Sequence, residues 1–332
     1  MKKILVTGAN GYIAKHIISE LYKKNYLVKG TLRNLAYSDT VKKDTERHIG
    51  REIKINFAKA SLDSDYGWNE AVEGCDAVIH AASPFPIKSP KNEDDLILPA
   101  KEGTLRVLNA AAGKAIDRII LTSSNAAVYD GNRKILKFNE NIWTNINSKG
   151  VNAYTKSKTI AEKSAWDFAS SNQNIKLTTI NPVLVWGPGI GNHRSSASLN
   201  IFKMLIDRKI PMIPRIKIPL VDVRDVAKAH VDSIENANSI DKRFLLCEST
   251  RWMKDVALKM KSLGYNPPTK VAPNFIIKFL ALFDSTLRAA ATKVDYNYDI
   301  DSNQAKTIIG FSPMPLDRTL RDTYNYIKNI NN

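Results

Sequence analysis

The stretch "VTGANGYIAKHI", residues 6–17, places Gly8 and Gly11 directly after an apolar run and directly before a helical pattern. Glycine lets the backbone turn tightly and approach a pyrophosphate, whose charge would face free amide groups and the positive end of the helix. Ala14 falls where that helix must pack closely on the sheet. A plain glycine turn would look the same at these two glycines, so the prediction of a dinucleotide site depends on the rest of the chain.

The first 180 residues alternate short apolar runs with helical patterns, which is typical of a parallel sheet covered by helices on both faces. The predicted strands are Lys3 to Thr7, Tyr26 to Leu32, Ile53 to Phe57, Ala77 to Ala82, Arg118 to Ser123, Leu177 to Asn181 and the segment RFLLCE at 243–248. The predicted helices are one built on Ile13, Ile17, Ile18, Leu21 and Tyr22, and others near 96–112, 151–171 and 224–236. The predicted fold class is therefore α/β, a doubly wound parallel sheet of the Rossmann type with a smaller, mostly helical C-terminal lobe.

From Pro182 onward the pattern changes to loops rich in proline and glycine, such as "NPVLVWGPGIGNHRSS". Such loops usually carry the site rather than the scaffold. We predict an NADP-binding domain formed by residues 1–181 and 219–249, and a discontinuous substrate-binding lobe formed by 182–218 and 250–332.

The composition fits a protein with a full hydrophobic core, since 43% of the 332 residues are hydrophobic. Cys75 and Cys247 are too few for a disulfide framework and fit a reducing compartment. The N-terminal apolar run is cut short by the glycine turn, so it reads as a strand rather than an export signal. No apolar stretch is long enough for a membrane helix, and a soluble, cytoplasmic protein is expected.

The chain carries 49 Lys and Arg against 33 Asp and Glu, a formal net charge of +16. Such a surface attracts phosphorylated cofactors, acidic substrates or, less specifically, nucleic acid. No zinc-finger, basic-zipper or RNP-type pattern is present, so no nucleic-acid partner is predicted. The five histidines form no HExxH or Cys/His cluster, so no metal is predicted. The GxSxG and GxxxxGK[ST] motifs are absent too, which argues against a serine hydrolase and a P-loop kinase.

Cofactor choice is predicted from the end of the second strand, in "GTLRN". Dinucleotide sites usually carry an acidic residue about 20 positions after the glycines, where it holds the ribose hydroxyls. Here residues 21–38 contain no Asp or Glu, and Arg33 stands at the strand end. A guanidinium can bond two phosphate oxygens at once, which predicts NADPH rather than NADH, with Lys42 or Lys43 as second contacts. The alternative is that Arg33 only solvates a loop.

A proton donor is predicted in "YTKSK", because Tyr154 and Lys158 lie one helical turn apart and share a face. A nearby cation favours the phenolate and would bring the tyrosine pKa closer to neutrality. Such a pair also arises by chance in many helices. In "LTSSNAAVYD", Ser123 and Ser124 end the fifth strand at the edge that faces a cofactor crevice, although either serine could instead bond nearby backbone.

The order of "TGANGYIA" (7–14), "TSSNAAVY" (122–129), "YTKSK" (154–158), "NPVLVWGPG" (181–189) and "VDVRDVAKAH" (221–230) resembles the extended short-chain dehydrogenase/reductases over nearly the whole chain. Within them it is most similar to the branch of dihydroflavonol reductases, cinnamoyl-CoA reductases and NADPH-dependent aldehyde or ketone reductases. The resemblance implies that Tyr154 is the general acid, that Lys158 holds the nicotinamide ribose and lowers the Tyr154 pKa, and that Ser124 orients the carbonyl, with Ser123 as the alternative.

The resemblance also implies a set of cofactor contacts along the glycine turn and the strand ends. They are Gly8, Asn10, Gly11, Tyr12 and Ile13 at the pyrophosphate, Arg33 at the ribose phosphate, Ser61 and Leu62 at the adenine, backbone at Pro182, Val183 and Val185 at the carboxamide, and further contacts at Ala81 and Ser195. Two positions depart from the family pattern. Ser61 replaces an Asp, and Glu102 in "KEGTL" replaces an Asn, which leaves an Asn-dependent proton relay unsupported.

The substrate is predicted to be a hydrophobic carbonyl compound, in a pocket walled by 83–87, Asn125, Trp143 and the loop 186–196, with His193 as a lining residue. His80 is predicted to be structural. Two rival functions use the same scaffold: sugar-nucleotide epimerisation or dehydration, and a non-catalytic NADPH sensor. The missing acidic residue weighs against the first, and the retained Tyr154 and Lys158 weigh against the second. A monomer or a homodimer is expected.

Overall fold

The computed structural model describes residues 1–84, 90, 92–193, 196–282, 288 and 290–331. Its strands are β1 (Lys3–Val6), β2 (Leu27–Leu32), β3 (Ile55–Lys59), β4 (Ala77–His80), β5 (Arg118–Thr122), β6 (Lys137–Phe138), β7 (Lys176–Pro182), β8 (Leu184–Trp186), β9 (Lys217–Asp222), β10 (Lys242–Leu246), β11 (Ser249–Trp252) and β12 (Asp299–Ile300). Its α-helices are α1 (Tyr12–Lys23), α2 (Ser38–Ile49), α3 (Trp68–Val72), α4 (Asp94–Gly113), α5 (Ala153–Ser171), α6 (Ala197–Ile206), α7 (Val223–Glu235), α8 (Met253–Ser262), α9 (Asn274–Leu280), α10 (Asn303–Ile309) and α11 (Leu316–Asn331).

The main sheet has seven strands in the order β10-β7-β5-β4-β1-β2-β3, and every neighbouring pair is parallel. The predicted doubly wound sheet is confirmed, and each of the seven predicted strands appears within a few residues of its expected bounds. The strand order reverses between β1 and β4, the point at which an open α/β sheet forms a ligand crevice. The carboxyl ends of these strands therefore define the edge at which a site is expected.

Strand β1, an inner strand of the main sheet, is buried on both faces. Ile4 and Val6 belong to one apolar cluster, which includes α1 and α7, whereas Leu5 belongs to the cluster on the opposite face, which includes α3, α4 and α5. Alternate side chains of a strand point to opposite faces, so a strand with helices on both sides must be apolar at every position. This explains the uninterrupted run Ile4 to Val6 in the sequence.

A second sheet of three strands, in the order β11-β9-β8, stands apart from the main sheet. Trp186, Phe202, Leu220, Val256 and Leu320 form its core with α6, α8 and α11. The C-terminal lobe thus contains a sheet as well as helices. Strand β9 pairs in this smaller sheet. The next two elements return to the main sheet: α7 packs against it, and β10 is one of its strands. The boundaries of the two predicted domains stay a prediction.

Gly30 on β2 lies directly beneath the glycine turn, a close approach that sequence analysis did not anticipate. A Cβ atom at Gly30 would lie 2.8 Å from Ala9 Cβ and 2.9 Å from the Phe57 ring. The Ala9 amide also donates to the Thr31 carbonyl at 2.9 Å, so the turn is held against β2. Strand and turn can pack this closely because residue 30 has no side chain.

Gly30→Ala is expected to lower the free energy of unfolding by about 1–3 kcal/mol, because the added methyl group overpacks a filled contact. Chemical denaturation followed by circular dichroism measures the change. Gly113→Ala, at the last residue of α4, is the matched control: apart from its chain neighbours and the nearby backbone of α4, no described atom lies within 4 Å of the added carbon. That control is expected to be neutral or mildly stabilising. Equal midpoints for both variants would contradict the packing argument.

Candidate active site

The glycine turn leads from β1 into α1 in a form that requires glycine. Gly8 has a φ of +65°, and a Cβ atom there would lie 3.0 Å from Ala82 Cβ. Its amide donates to Thr31 Oγ1 at 3.0 Å, while the Gly11 amide donates to the Gly8 carbonyl at 2.8 Å. The helix then begins at Tyr12, and its first turn carries no acidic side chain. The turn therefore exposes a helix N-terminus, where an anion is favoured.

Three side chains of α1 fasten the loop that follows β8. The Tyr12 hydroxyl donates to the Gly187 carbonyl at 2.8 Å, and Lys15 Nζ donates to the Ile190 carbonyl at 3.1 Å. His16 Nε2 lies 2.8 Å from the Pro188 carbonyl. Because burial lowers the pKa of His16 to about 3, this ring is neutral and donates through Nε2. The cofactor turn and this loop thus form one packed unit.

The loop is held from its other side by α11. The Tyr326 hydroxyl donates to the Gly191 carbonyl at 2.7 Å and accepts from the His193 amide at 2.9 Å. The His193 ring is buried, with its centroid 5.7 Å from that of Tyr12. His193, predicted to line the substrate pocket, packs with its ring against Tyr12 of α1, and its place in the pocket stays a prediction. Residues 194 and 195, including the predicted cofactor contact Ser195, lie outside the described residues.

Arg33 is exposed immediately after β2. The β2 and β3 register pairs Leu32 with Lys59, which brings Arg33 level with the turn that contains Ser61 and Leu62. Asp63 in that turn was missed by sequence analysis. A hydrogen bond from Ser61 lowers the pKa of Asp63, and the charge of Arg33 lowers it further. A basic group and the predicted adenine edge thus lie side by side.

Leu62 also packs beneath α4. A Cβ atom at Gly103 would lie 2.7 Å from Leu62 Cβ, and the Leu62 carbonyl accepts from Arg106 Nη1 at 2.8 Å. These contacts fix the backbone of the turn, so any contribution of Leu62 to an adenine site comes from an ordered segment. Glu102, one residue before Gly103, is half-exposed and pairs with Lys101 at 3.6 Å. It is directed to solvent rather than into the sheet edge.

The predicted catalytic residues meet at the carboxyl end of β5. Helix α5 begins after Asn152, whose side chain accepts from the Thr155 amide at 2.8 Å, and this cap sets the start of the turn that carries Tyr154. The side chains of Tyr154 and Ser124 are hydrogen-bonded. Lys158 is buried one helical turn further along α5. Three residues that are separate in sequence therefore line one edge of the sheet.

The neighbouring hydroxyl of Ser123 points elsewhere, because its Oγ donates to Glu162 Oε2 in the interior. Ser124 is the N-cap of the short 3-10 helix Asn125–Ala127, and its Oγ accepts from the Ala126 amide at 3.2 Å. Of the two strand-end serines, Ser124 is thus the one beside Tyr154. Asn125, a predicted pocket wall, is buried directly after it.

The pKa of Tyr154 differs from the prediction, and the pKa of Lys158 is shifted as well. Burial raises the pKa of Tyr154 above its ordinary value, and this outweighs the lowering by its hydrogen bond with Ser124. Burial lowers the pKa of Lys158 to about 8, while the charge of Glu162 acts in the opposite direction. The prediction of a lowered Tyr154 pKa is therefore wrong for the protein by itself, in which the phenol stays protonated at neutral pH.

The same fold and motifs occur in a large group of known proteins. Residues 4–247 match the family described as the NAD dependent epimerase/dehydratase family. The chain belongs to that family. The match runs from β1 to the residue after β10 and so spans the whole main sheet. The predicted membership of the extended short-chain dehydrogenase/reductases is confirmed.

Two curated relatives that match over most of the chain are named as reductases. The chain is 31% identical to the NADPH-dependent methylglyoxal reductase GRE2 of Saccharomyces cerevisiae, over 98% of this chain and 97% of that protein. It is 35% identical to cinnamoyl-CoA reductase 1 of Arabidopsis thaliana, over 81% of this chain and 77% of that protein. Among solved structures, yeast methylglyoxal/isovaleraldehyde reductase Gre2 complexed with NADPH superposes with a TM-score of 0.80 at 29% identity, over 99% of both chains.

The end of β7 has few backbone N–H groups that could bond a cofactor. Pro182 has no N–H, and the Val183 amide donates to the Leu246 carbonyl at 3.2 Å. Val183 and Val185 direct their side chains into the main core. Carbonyl oxygens are therefore the groups that Pro182 and Val183 can present to a carboxamide. On the other side of the crevice Ala81 is half-buried, after His80, whose Nδ1 lies 2.8 Å from Thr7 Oγ1.

The predicted substrate walls are only partly described. Residues 85–87 lie outside the described residues, and Trp143 stacks on the guanidinium of Arg243, whose Cζ is 3.6 Å from the ring centroid. Among the described residues, no group of three or more His, Cys, Asp or Glu is placed to hold a metal ion. Within the same ranges, no helix is both long and apolar enough to cross a membrane.

Sequence analysis missed Glu162, which is 1% exposed and lies at the centre of a hydrogen-bond network next to Lys158. The spacing in the sequence could have indicated it, because a Glu four residues after Lys158 lies on the same helix face. Charged residues are almost never buried without partners. Most partners of Glu162 lie on β7, on β10 and directly after β5, however, and only the fold brings them together.

Proposed function

We propose that this protein is an NADPH-dependent reductase that converts the carbonyl group of an aldehyde or ketone into an alcohol. The observation that carries the proposal is the hydrogen bond between Ser124 and Tyr154 at the sheet edge, with Lys158 one helical turn beyond. The named activities of the methylglyoxal reductase and cinnamoyl-CoA reductase relatives support it.

The residues present fit a dinucleotide. A side-chain carbon at Gly8 or Gly11 would fill the turn, with contacts of 3.0 Å to Ala82 Cβ and 3.1 Å to the Gly8 carbonyl respectively. We assign the cofactor contacts to the glycine turn, the exposed Arg33 and the strand ends: Gly8, Asn10, Gly11, Tyr12, Ile13, Arg33, Ser61, Leu62, Ala81, Lys158, Pro182, Val183, Val185 and Ser195. NADPH, when bound there, supplies the hydride.

Side chains of the protein supply the proton that the carbonyl oxygen gains. Tyr154 is the general acid, because its raised pKa keeps the phenol protonated until the carbonyl oxygen gains negative charge. Ser124 holds that oxygen through a second hydrogen bond. Lys158 is protonated below about pH 8, and its charge stabilises the phenolate that remains after proton transfer. Positioned donors of this kind act where charge develops in the transition state.

The direct test is to mix the purified protein with NADPH and a panel of aryl aldehydes, diketones and hydroxyketones, and to follow the absorbance of reduced nicotinamide. Steady loss of that absorbance with at least one carbonyl compound is the expected result. Parallel reactions with NADH and reactions without carbonyl are the controls. Tight NADPH binding with no consumption by any carbonyl would overturn the proposal.

Arg33→Ala is expected to weaken NADPH binding by about tenfold to a hundredfold and to leave NADH binding almost unchanged, because only NADPH carries the phosphate that the guanidinium would bond. Fluorescence titration measures both dissociation constants. Arg47→Ala, on exposed Arg47 of α2, is the matched control for lost surface charge. An unchanged ratio of the two constants in Arg33→Ala would refute the assignment.

Oligomeric state and compartment stay predictions of the sequence: a monomer or a homodimer, in the cytoplasm. Light scattering on the purified protein at several concentrations measures the first. A mass corresponding to more than two copies would contradict it.

A further inference from the structure

Glu162 is a buried carboxylate one turn beyond Lys158 on α5, and both of its oxygens are bonded. Oε2 accepts from Ser123 Oγ and from Asn181 Nδ2, the latter at 2.6 Å. Oε1 accepts from Arg243 Nε at 2.7 Å, from Thr179 Oγ1 at 3.1 Å and from Trp166 Nε1 at 3.3 Å. A carboxylate with this many donors is fixed in place.

The hydrogen-bond network around Glu162 extends to Ser124, one of the predicted catalytic residues. Asn181 Nδ2, which bonds Glu162, also donates to the Ser124 carbonyl at 3.2 Å. Ser123, directly before Ser124, is bonded to the same carboxylate. A small cavity, of about 10 Å³, is lined by Lys158, Glu162 and Ser123, among others. Lys158 and Glu162 therefore border the same small space, and the charge of Glu162 acts on the ammonium.

Within the described part of the chain, Glu162 is the negative group that acts on the Lys158 ammonium. The other charged or titratable groups around the pair are neutral, positive or directed away from it. From β4, His80 is neutral, because burial and the charge of Lys158 lower its pKa to about 3. From α5, Tyr154 is protonated. From β10, Arg243 bonds the far side of the carboxylate, and Glu140 lies beyond Arg243, where it accepts from the Leu245 amide. From α4, Glu102 is directed to solvent.

We infer that Glu162 is a positioning residue for the reaction: its charge keeps the buried Lys158 protonated, and its hydrogen bonds hold the two strand-end serines, so that it sets the alkaline limit of proton delivery by Tyr154. The inference rests on the proposed reductase function. A Glu162 that only stabilised the fold would affect unfolding but not the pH at which activity is lost.

The test is the pH profile of kcat/KM at saturating NADPH for the wild-type protein and for Glu162→Gln. The wild-type profile should fall above about pH 8, where Lys158 loses its proton. Burial lowers the Lys158 pKa and Glu162 raises it, so removing the carboxylate charge lowers that pKa further and moves the alkaline limb about one pH unit or more toward acid. Glu162→Asp, which keeps the charge, should restore most of the profile.

Asp225→Asn is the matched control, since Asp225 is a buried carboxylate on α7 that bonds the Met314 amide. It should lower the melting temperature and leave the alkaline limb in place. Should Glu162→Gln leave Arg243 unpaired and fail to fold, the double variant Glu162→Gln with Arg243→Met removes both charges and should show a limb displaced in the same direction by a smaller amount, because Arg243 lies on the far side of the carboxylate. An alkaline limb that stays at the wild-type pH in the folded variants would overturn the inference.

A binding readout separates this inference from the proposed function. The pH above which NADPH affinity weakens should also move toward acid in Glu162→Gln, because Lys158 is assigned to the nicotinamide ribose. If the wild-type protein reduces no carbonyl compound, the proposed function fails, whereas the affinity titration still tests Glu162. If the wild-type protein is active and neither pH profile moves, only the inference on Glu162 fails.

Discussion

Tyr154→Phe is expected to lower kcat for carbonyl reduction by about 10²–10⁴-fold, the range that a positioned proton donor contributes. The variant loses a single oxygen atom, which is hydrogen-bonded with Ser124, and keeps the aromatic ring that packs at the sheet edge. Hydride could still be delivered, but the oxygen would have to take its proton from water. NADPH affinity should stay within a few-fold of wild type, because the hydroxyl is assigned to the substrate rather than to the cofactor.

Steady-state kinetics and fluorescence titration of NADPH measure the two quantities separately. Tyr22→Phe is the matched control, because it also removes a phenolic oxygen, one that donates to the Lys54 carbonyl at 2.7 Å. That variant should lose some stability and keep its activity. A Tyr154→Phe protein with activity near that of Tyr22→Phe would show that another group supplies the proton.

Lys158→Met is expected to lower kcat/KM by about 10²–10³-fold, comparable with the loss of one preorganised donor at a developing oxyanion. Methionine keeps the apolar length of the side chain but neither stabilises the phenolate nor bonds the ribose. In contrast to Tyr154→Phe, NADPH affinity should fall as well. A loss of less than tenfold in kcat/KM would contradict the role assigned to Lys158.

Lys158 should also leave a signature in stability. Its folded-state pKa of about 8 lies below the ordinary value of lysine, so the unfolded chain binds the proton more tightly. Stability from this group should therefore rise as pH increases from about 8 to about 10.4, by up to about 3 kcal/mol. Lys158→Met should lack this rise and should be more stable than wild type at pH 7. Urea denaturation at pH 7 and pH 10 measures both effects.

Much of the fold could be predicted because its signals are local. The apolar run of β1, the glycines after it and the helical spacing of α1 lie within about twenty consecutive residues, and each follows from backbone geometry. The pairing of Tyr154 with Lys158 has the same origin, since one helical turn fixes which residues share a face. The family match confirms the fold and the reductase branch that these motifs indicated.

The arrangement of individual side chains was less predictable. Sequence analysis left Ser123 and Ser124 as alternatives, and the structure separates them because Ser123 is bonded to the interior carboxylate of Glu162. His193 was predicted to lie in a loop at the substrate pocket, and the structure shows that this loop is held against α1 by Tyr12 and Lys15. In both cases the deciding partner lies far away in the chain.

The sequence by itself determined the order of strands and helices, the glycine turn, the basic residue at the end of β2 and the single helix face shared by Tyr154 and Lys158. Only the tertiary structure decided which serine faces Tyr154, how far burial shifts the pKa values of Tyr154 and Lys158, and that Glu162 meets Arg243 behind them. The reason is physical: spacing along a chain fixes local geometry, whereas burial and charge pairing arise when distant segments exclude water from the same place.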